Sequence, residues 1–221
     1  MEPSAPPTPR PSTPFTIGFD LDMTLVDSRP GIADTYRALA AETGTFIDAD
    51  LAVSRLGPPV EQEIAHWFPA DRVRAMSDRY RALYPAHGVE GTLPLPGARE
   101  ALDAIRARGG RSMVVTAKHT PNARLHIEHL QLAADVLVGD LWAERKGVAL
   151  REQGASVYVG DHVGDVRAAT AAGALSVSVT TGPCDEHELR SAGTAVVLPD
   201  LLSFPTWLDN WLEGHGENAG A

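Results

Sequence analysis

The residues best equipped for chemistry come early in the chain, in Asp20-Leu21-Asp22-Met23-Thr24-Leu25-Val26-Asp27-Ser28. Two carboxylates alternate around one leucine, and a hydroxyl follows two positions later. The run Phe15-Thr16-Ile17-Gly18-Phe19 ahead of them reads as a short, buried parallel strand. In an open α/β sheet the carboxyl ends of the strands form the ligand-binding edge, so Asp20 and Asp22 would face a crevice. One of such a pair can attack an electrophile or hold a cation while its neighbour carries protons. The plainer alternative is helix capping, which Asp27 and Ser28, just ahead of Arg29-Pro30, would do better.

Two later segments end in the same style. Val114-Val115-Thr116-Ala117-Lys118 closes an apolar run with a hydroxyl and an amine, and the hydroxyl, with the backbone N–H groups of a following helix, can bind phosphate oxygens. A strand-end threonine is also a common turn residue. Val159-Gly160-Asp161-His162-Val163-Gly164-Asp165 carries two aspartates four apart at a helix start, after a glycine that permits a tight turn. Converging with Asp20, they would suit a hard cation such as Mg²⁺, which favours oxygen ligands. Asp165 alone could equally be a first-turn acid favoured by the helix dipole. A cluster of up to four acids would repel itself unless a divalent cation or a basic side chain compensates it.

Other reactive side chains carry less. His126 and His129 lie three apart on a predicted helix with no third ligand nearby, and read as part of a solvated face. His119 and His162 fall in loops at the active edge. Cys184 is the only cysteine, which excludes an internal disulfide, and with no base beside it in sequence it reads as inert. The four tryptophans read as packing residues.

The elements that must position these groups follow an α/β rhythm with one interruption. Positions 1–14 contain six prolines and almost nothing apolar, and read as a disordered extension. Helical spacing predicts helices over 30–43, 60–67 and 71–83, with no convincing strand between about 29 and 94. The alternation resumes with helices over 97–108, from 121, over 143–153 and 165–172. Between them lie strands over 112–116, 136–138, 157–160, 176–179 and 195–198. The expectation is a doubly wound, Rossmann-like parallel sheet, built from 15–28 and 95–212, with an all-helical block over 29–94 inserted after its first strand. Positions 213–221 read as a flexible tail.

Composition narrows the partners. No apolar run approaches the roughly 20 residues of a membrane helix, so no membrane is expected. A formal net charge of -10 opposes binding to nucleic acid, whose affinity comes from cations meeting phosphates. One cysteine and an N-terminus without a signal-peptide pattern fit a cytoplasmic protein. The sequence specifies neither an oligomeric state nor a particular substrate.

Taken in order, the Asp20-x-Asp22-x-Thr24 motif, Thr116, a lysine, and Gly160-Asp161-x-x-x-Asp165 resemble the haloacid-dehalogenase-like phosphohydrolases. The helical block after the first motif is similar to the small cap of their phosphoglycolate-phosphatase-like branch. The resemblance covers about 15–210 and implies hydrolysis of a small phosphorylated metabolite through an aspartyl-phosphate. In that scheme Asp20 is the nucleophile and Asp22 the general acid, then base. Mg²⁺ is held by Asp20, the backbone carbonyl of Asp22, Asp161 and Asp165. Thr116 and Lys146 bind the phosphoryl oxygens, with Lys118 as a second phosphate contact. The family usually has glycine where Met23 stands. Related caps also present a turn like Val53-Ser54-Arg55-Leu56-Gly57-Pro58-Pro59 to the active site, which makes Arg55 the expected grip on the leaving portion of the substrate. A phosphoryl-transferring mutase or a catalytically silent binding module are the competing expectations. A dehalogenase is disfavoured, since it needs no acid at 22 and no metal at 161.

Overall fold

A computed structural model of the chain describes residues 15–218; the expected extension at 1–14 lies outside them. Six parallel strands form the main sheet: β1 (Thr16–Phe19), β4 (Arg111–Val115), β5 (Val136–Val138), β6 (Ala155–Gly160), β7 (Leu175–Val179) and β8 (Val196–Leu198). Their order is β5-β4-β1-β6-β7-β8, so the first strand in the chain is central and is hydrogen-bonded on both sides. That is why its four residues are all buried. Only a run that is apolar on both faces tolerates such a place.

The helices α5 (Ala98–Ala107), α6 (Thr120–His129), α7 (Glu144–Glu152), α8 (Val163–Ala172), α9 (Glu186–Ser191) and α10 (Phe204–Asn218) cover the sheet. On one face Ile17 and Phe19 of β1 pack with Leu102, Ile105 and Phe204. On the other, Met113, Leu150, Tyr158 and Ala169 make a smaller cluster. Gly18 looks towards this second face, where a Cβ would stand 2.7 Å from a methyl of Leu150; the missing side chain lets α7 approach the central strand. Each large apolar side chain buried in these layers contributes about 1.5–3 kcal/mol.

Between β1 and α5 the chain forms α1 (Arg29–Thr43), α2 (Ala49–Ser54), α3 (Val60–Ile64) and α4 (Val73–His87). Pro30 pre-sets the first turn of α1, and Gly44 ends it in the left-handed conformation at φ 67°. The four helices bury a core of their own that includes Ile32, Tyr36, Leu39, Ile64, Tyr80 and Tyr84. A small antiparallel pair, β2 (Val26–Asp27) with β3 (Leu93–Pro94), ties the two ends of this insert together.

The structure departs from the sequence expectations in several places, α9 and β2 among them. The insert is not wholly helical, because β3 lies at its end. α2 is an extra helix, begun by Asp48, whose side chain accepts from the N–H of Leu51. The helix expected over 60–67 is regular only to Ile64. The tail expected from 213 is instead a continuation of α10 to Asn218. Among the described residues no helix is long and apolar enough to cross a membrane.

Candidate active site

Asp20, Thr116 and Asp161 directly follow β1, β4 and β6, the three adjacent strands at the middle of the sheet. The N–H of Asp20 donates to the carbonyl of Val159 at 2.9 Å, which fixes the end of β1 against β6. After β6 the chain turns into α8, where the imidazole of His162 accepts from the N–H of Gly164 and Asp165 accepts from the N–H of His162. This reciprocal cap aims Asp165 back at the sheet. Gly160 is required here, since a Cβ would overlap the Asp165 carboxyl group.

Asp20, Asp161 and Asp165 are buried and each offers one oxygen within 4.8 Å of the others. Lys146, on α7, has no exposed surface, and its Nζ stands 2.7 Å from Asp165 Oδ1 and 3.1 Å from Asp20 Oδ1. Asp161 Oδ1 accepts from the Thr24 hydroxyl at 2.6 Å. Asp20 Oδ1 is buried and its contact with Lys146 is an ion pair without regular hydrogen-bond geometry. Three carboxylates against one ammonium leave a formal charge of -2 in a dry place, and the electrostatics reflect it. Burial, reinforced by Asp165 and Asp22 against the opposing pull of Lys146, pushes Asp20 up to about 6. Burial, with Asp165 and Asp20, raises Asp161 well above the usual carboxylate range. The all-oxygen donor set and the excess negative charge fit a divalent metal ion.

Asp22 lies outside this cluster. Its Oδ1 accepts from Lys118 Nζ at 2.7 Å and from Ser28 Oγ at 2.5 Å, and its Oδ2 accepts from the same lysine at 3.0 Å. Burial works to raise its carboxyl, but Lys118 first, then His126 and the hydrogen bonds, overcome that and hold it below the ordinary value. Ser28 therefore occupies the cap position of α1 without capping it. Between the two acids the chain turns at Met23, whose φ of 61° is the conformation a glycine takes freely. The turn holds because the N–H of Met23 donates to Val26 at 2.8 Å, its carbonyl accepts from Thr181 Oγ1 at 2.6 Å, and its side chain is buried.

A cavity between the strand ends and the insert is lined by Asp20, Asp22, Thr116 and Lys118 from the core, and by Glu63, Arg81 and Tyr84 from the insert. Lys146 is not among the lining residues; it sits behind the carboxylates. Nor does Arg55 line the cavity. Its Nε and Nη2 donate to Glu63 at 2.9 and 2.5 Å, and its guanidinium lies 5.8 Å from the centre of the Trp67 ring. The turn that carries it does touch the core, because Gly57 packs against the imidazole of His162.

Glu63, Arg81 and Tyr84 escaped the sequence reading, and His126 was placed on the wrong face. Arg81 lines the cavity with an Nε that is buried and unpartnered, and ends on Glu61 and Asp78. His126, expected on a solvated face, is completely buried, because α6 packs that face on α4 and Tyr84 meets its Nε2 at 2.9 Å. The pair His126 and His129 is no ligand set. A period-3.6 pattern would have exposed the inward place of His126 only if α4 had been known to lie over α6.

Residues 17–179 match the haloacid dehalogenase-like hydrolase family. The chain is 33% identical over 233 aligned positions to a phosphoglycolate phosphatase from Rhodospirillum rubrum, covering 94% of this chain and 96% of that one. It is 32% identical to a phosphoglycolate phosphatase from Escherichia coli K12, across 75% of this chain and 81% of that one. Its fold is similar to that of a haloacid dehalogenase-like family hydrolase from Streptococcus pneumoniae, with a TM-score of 0.77 at 23% identity, covering 88% and 98% of the two chains.

Proposed function

The chain belongs to the haloacid dehalogenase-like hydrolases and is a phosphatase of that family, and from this premise we propose that it hydrolyses a small phosphomonoester with Mg²⁺ through an aspartyl-phosphate on Asp20. The observation that carries the reading is the contrast between the two aspartates of the first motif. Asp20 ends the central strand as a buried carboxylate at the cavity wall, with the ammonium of Lys146 at 3.1 Å from its Oδ1, an arrangement that suits a charge-stabilised nucleophile. Asp22, two residues on, is gripped by Ser28 and Lys118, as a proton carrier must be positioned.

Asp20, Asp161 and Asp165 would hold the ion, with the backbone carbonyl of Asp22. When bound, Mg²⁺ would supply charge that lets an anionic phosphate group approach the acids. Asp20 Oδ attacks phosphorus while the bond to the leaving oxygen breaks, and Asp22 protonates that oxygen. Asp22 starts ionised, so it must be loaded, and a phosphomonoester arriving as the monoanion carries the proton. In the second half Asp22 takes a proton from water as the water attacks the phosphorus of the aspartyl-phosphate and Asp20 leaves; that proton then passes to the released phosphate, which departs as the monoanion and leaves Asp22 ionised again. Thr116 would bind the transferring oxygens, Lys146 would add its positive charge to them from behind Asp20, and Lys118 would stand at the leaving side. The relatives named for phosphoglycolate support a short carboxylate-bearing phosphomonoester as substrate. A cytoplasmic setting is proposed with it.

The test is steady-state turnover of phosphoglycolate and of p-nitrophenyl phosphate. Both should require Mg²⁺ and cease in excess chelator, and Asp20→Asn should lose activity by many orders of magnitude with its fold intact. Wild-type turnover by Asp20→Asn would overturn the mechanism.

A further inference from the structure

Lys118 is bound from two sides, and only one of them belongs to the proposed catalytic groups. Two of its three N–H donors go to the carboxylate of Asp22. On its other side, Nζ lies 4.6 Å from the centre of the Tyr84 ring, at the distance of a cation–π contact. Tyr84 comes from α4 of the insert and is almost completely buried. Its hydroxyl then meets Nε2 of His126, on α6 of the core, at 2.9 Å, and the two rings stand edge to face. Asn122, also on α6, donates to the carbonyl of Arg81 at 3.2 Å beside them. The insert and the core thus join through a polar seam that ends on Asp22.

A seam made only for packing would not look like this. His126 has no exposed surface and its Nδ1 has no partner, so the imidazole is held inside at a desolvation cost that a leucine would avoid. Lys118 also follows the strand-end loop on a flexible four-carbon stem, so a single geometry on Asp22 has to be imposed from outside.

We propose that Tyr84 and His126 are positioning residues that hold Lys118 on Asp22, and so make proton transfer by Asp22 depend on the seating of the insert's α4 against the core. The inference rests on the reading of Asp22 as the acid. Its consequence is selective. A p-nitrophenolate leaves without a proton, whereas the alkoxide of phosphoglycolate needs one. kcat/KM reports only the steps up to phosphorylation of Asp20, so the later action of Asp22 as base does not enter it.

The experiment compares kcat/KM for phosphoglycolate with kcat/KM for p-nitrophenyl phosphate, and reads the ratio of the two. Asp22→Asn should lower that ratio by about 10²–10⁴, the usual scale of general acid catalysis. Tyr84→Leu, which removes ring and hydroxyl, should lower it by about 10-fold or more. Tyr84→Phe, which keeps the ring under Lys118, should fall between Tyr84→Leu and the wild type. An unchanged ratio in Asp22→Asn would overturn the acid assignment itself. A lowered ratio there with unchanged ratios in both Tyr84 variants would overturn the positioning role alone, even if their absolute rates fell together. Should Tyr84→Leu not fold, Tyr84→Phe and His126→Phe, each removing one end of the hydrogen bond, decide the matter in the same way.

Discussion

Lys146 is an ammonium without exposed surface between two buried carboxylates, and this defines what its removal must do. Burial alone would lower its affinity for a proton, but Asp165 and Asp20 outweigh that and keep it charged. Taking one partner from such a group leaves uncompensated charge and typically costs about 3–5 kcal/mol. Lys146→Ala should therefore lose more activity than Lys118→Ala, and melt at a lower temperature as well. Thermal denaturation and turnover of the two variants check this, and the reverse order of activity would give Lys118 the main contact to the phosphoryl group. The residues of the site differed in how far they could be read in advance. Asp20 and Asp161 were legible because each follows an apolar run at a strand end, and Asp165 because it stands four residues after Asp161 at the start of a helix. Lys146 was not legible from spacing, since its place depends on α7 packing beside the strands, and it came only through family resemblance. The grip of Ser28 on Asp22 was hidden for another reason: a serine before a proline reads first as a helix cap.

At the scale of elements, the insert shows where sequence patterns run out. Its long helices were visible in the periodicity, whereas α2, with six residues, and the two-residue strands β2 and β3 are shorter than any period can reveal. Arg55 belongs to the same short-range part of the insert. The turn at 53–59 does reach the core, through Gly57 against His162, but Arg55 points along the insert and closes on Glu63 in α3, whose carboxylate also accepts from Trp67 Nε1 at 2.8 Å. It ties α2 to α3, and Glu63 in turn lines the cavity. Arg55→Ala should accordingly destabilise the insert by about 0.2–1 kcal/mol, the range for partly exposed ion pairs. It should also lower kcat/KM for phosphoglycolate and for p-nitrophenyl phosphate by similar factors. A loss confined to phosphoglycolate would return Arg55 to direct contact with the substrate's leaving portion.

For the whole molecule, the strand order decides the outcome: placing β1 between β4 and β6 brings an acid, a hydroxyl and a second acid to one edge. The alternation of apolar strands and helices made that sheet legible. It left the position of the insert over the edge unspecified, because nothing local encodes contacts between α4 and α6. The consequence of the arrangement is a protein whose core carries repulsion of its own. Asp20 has a folded-state value of about 6, above its ordinary one, so the native state binds more protons than the unfolded chain between about pH 4 and 6. The contribution of this group to stability is therefore present at low pH and is lost as the pH rises through 6. A divalent cation reverses the sign, because it binds the ionised carboxylates and must displace that proton. Millimolar Mg²⁺ should raise the melting temperature at pH 7.5 by several degrees, since about 100-fold excess over Kd stabilises a native state by about 2.7 kcal/mol. The same addition at pH 5 should give a much smaller rise. Asp161→Asn, with one charge fewer in the cluster, should melt higher than the wild type in chelator yet respond less to Mg²⁺. An equal response at both pH values, or none at either, would mean that the three carboxylates are not where the ion binds.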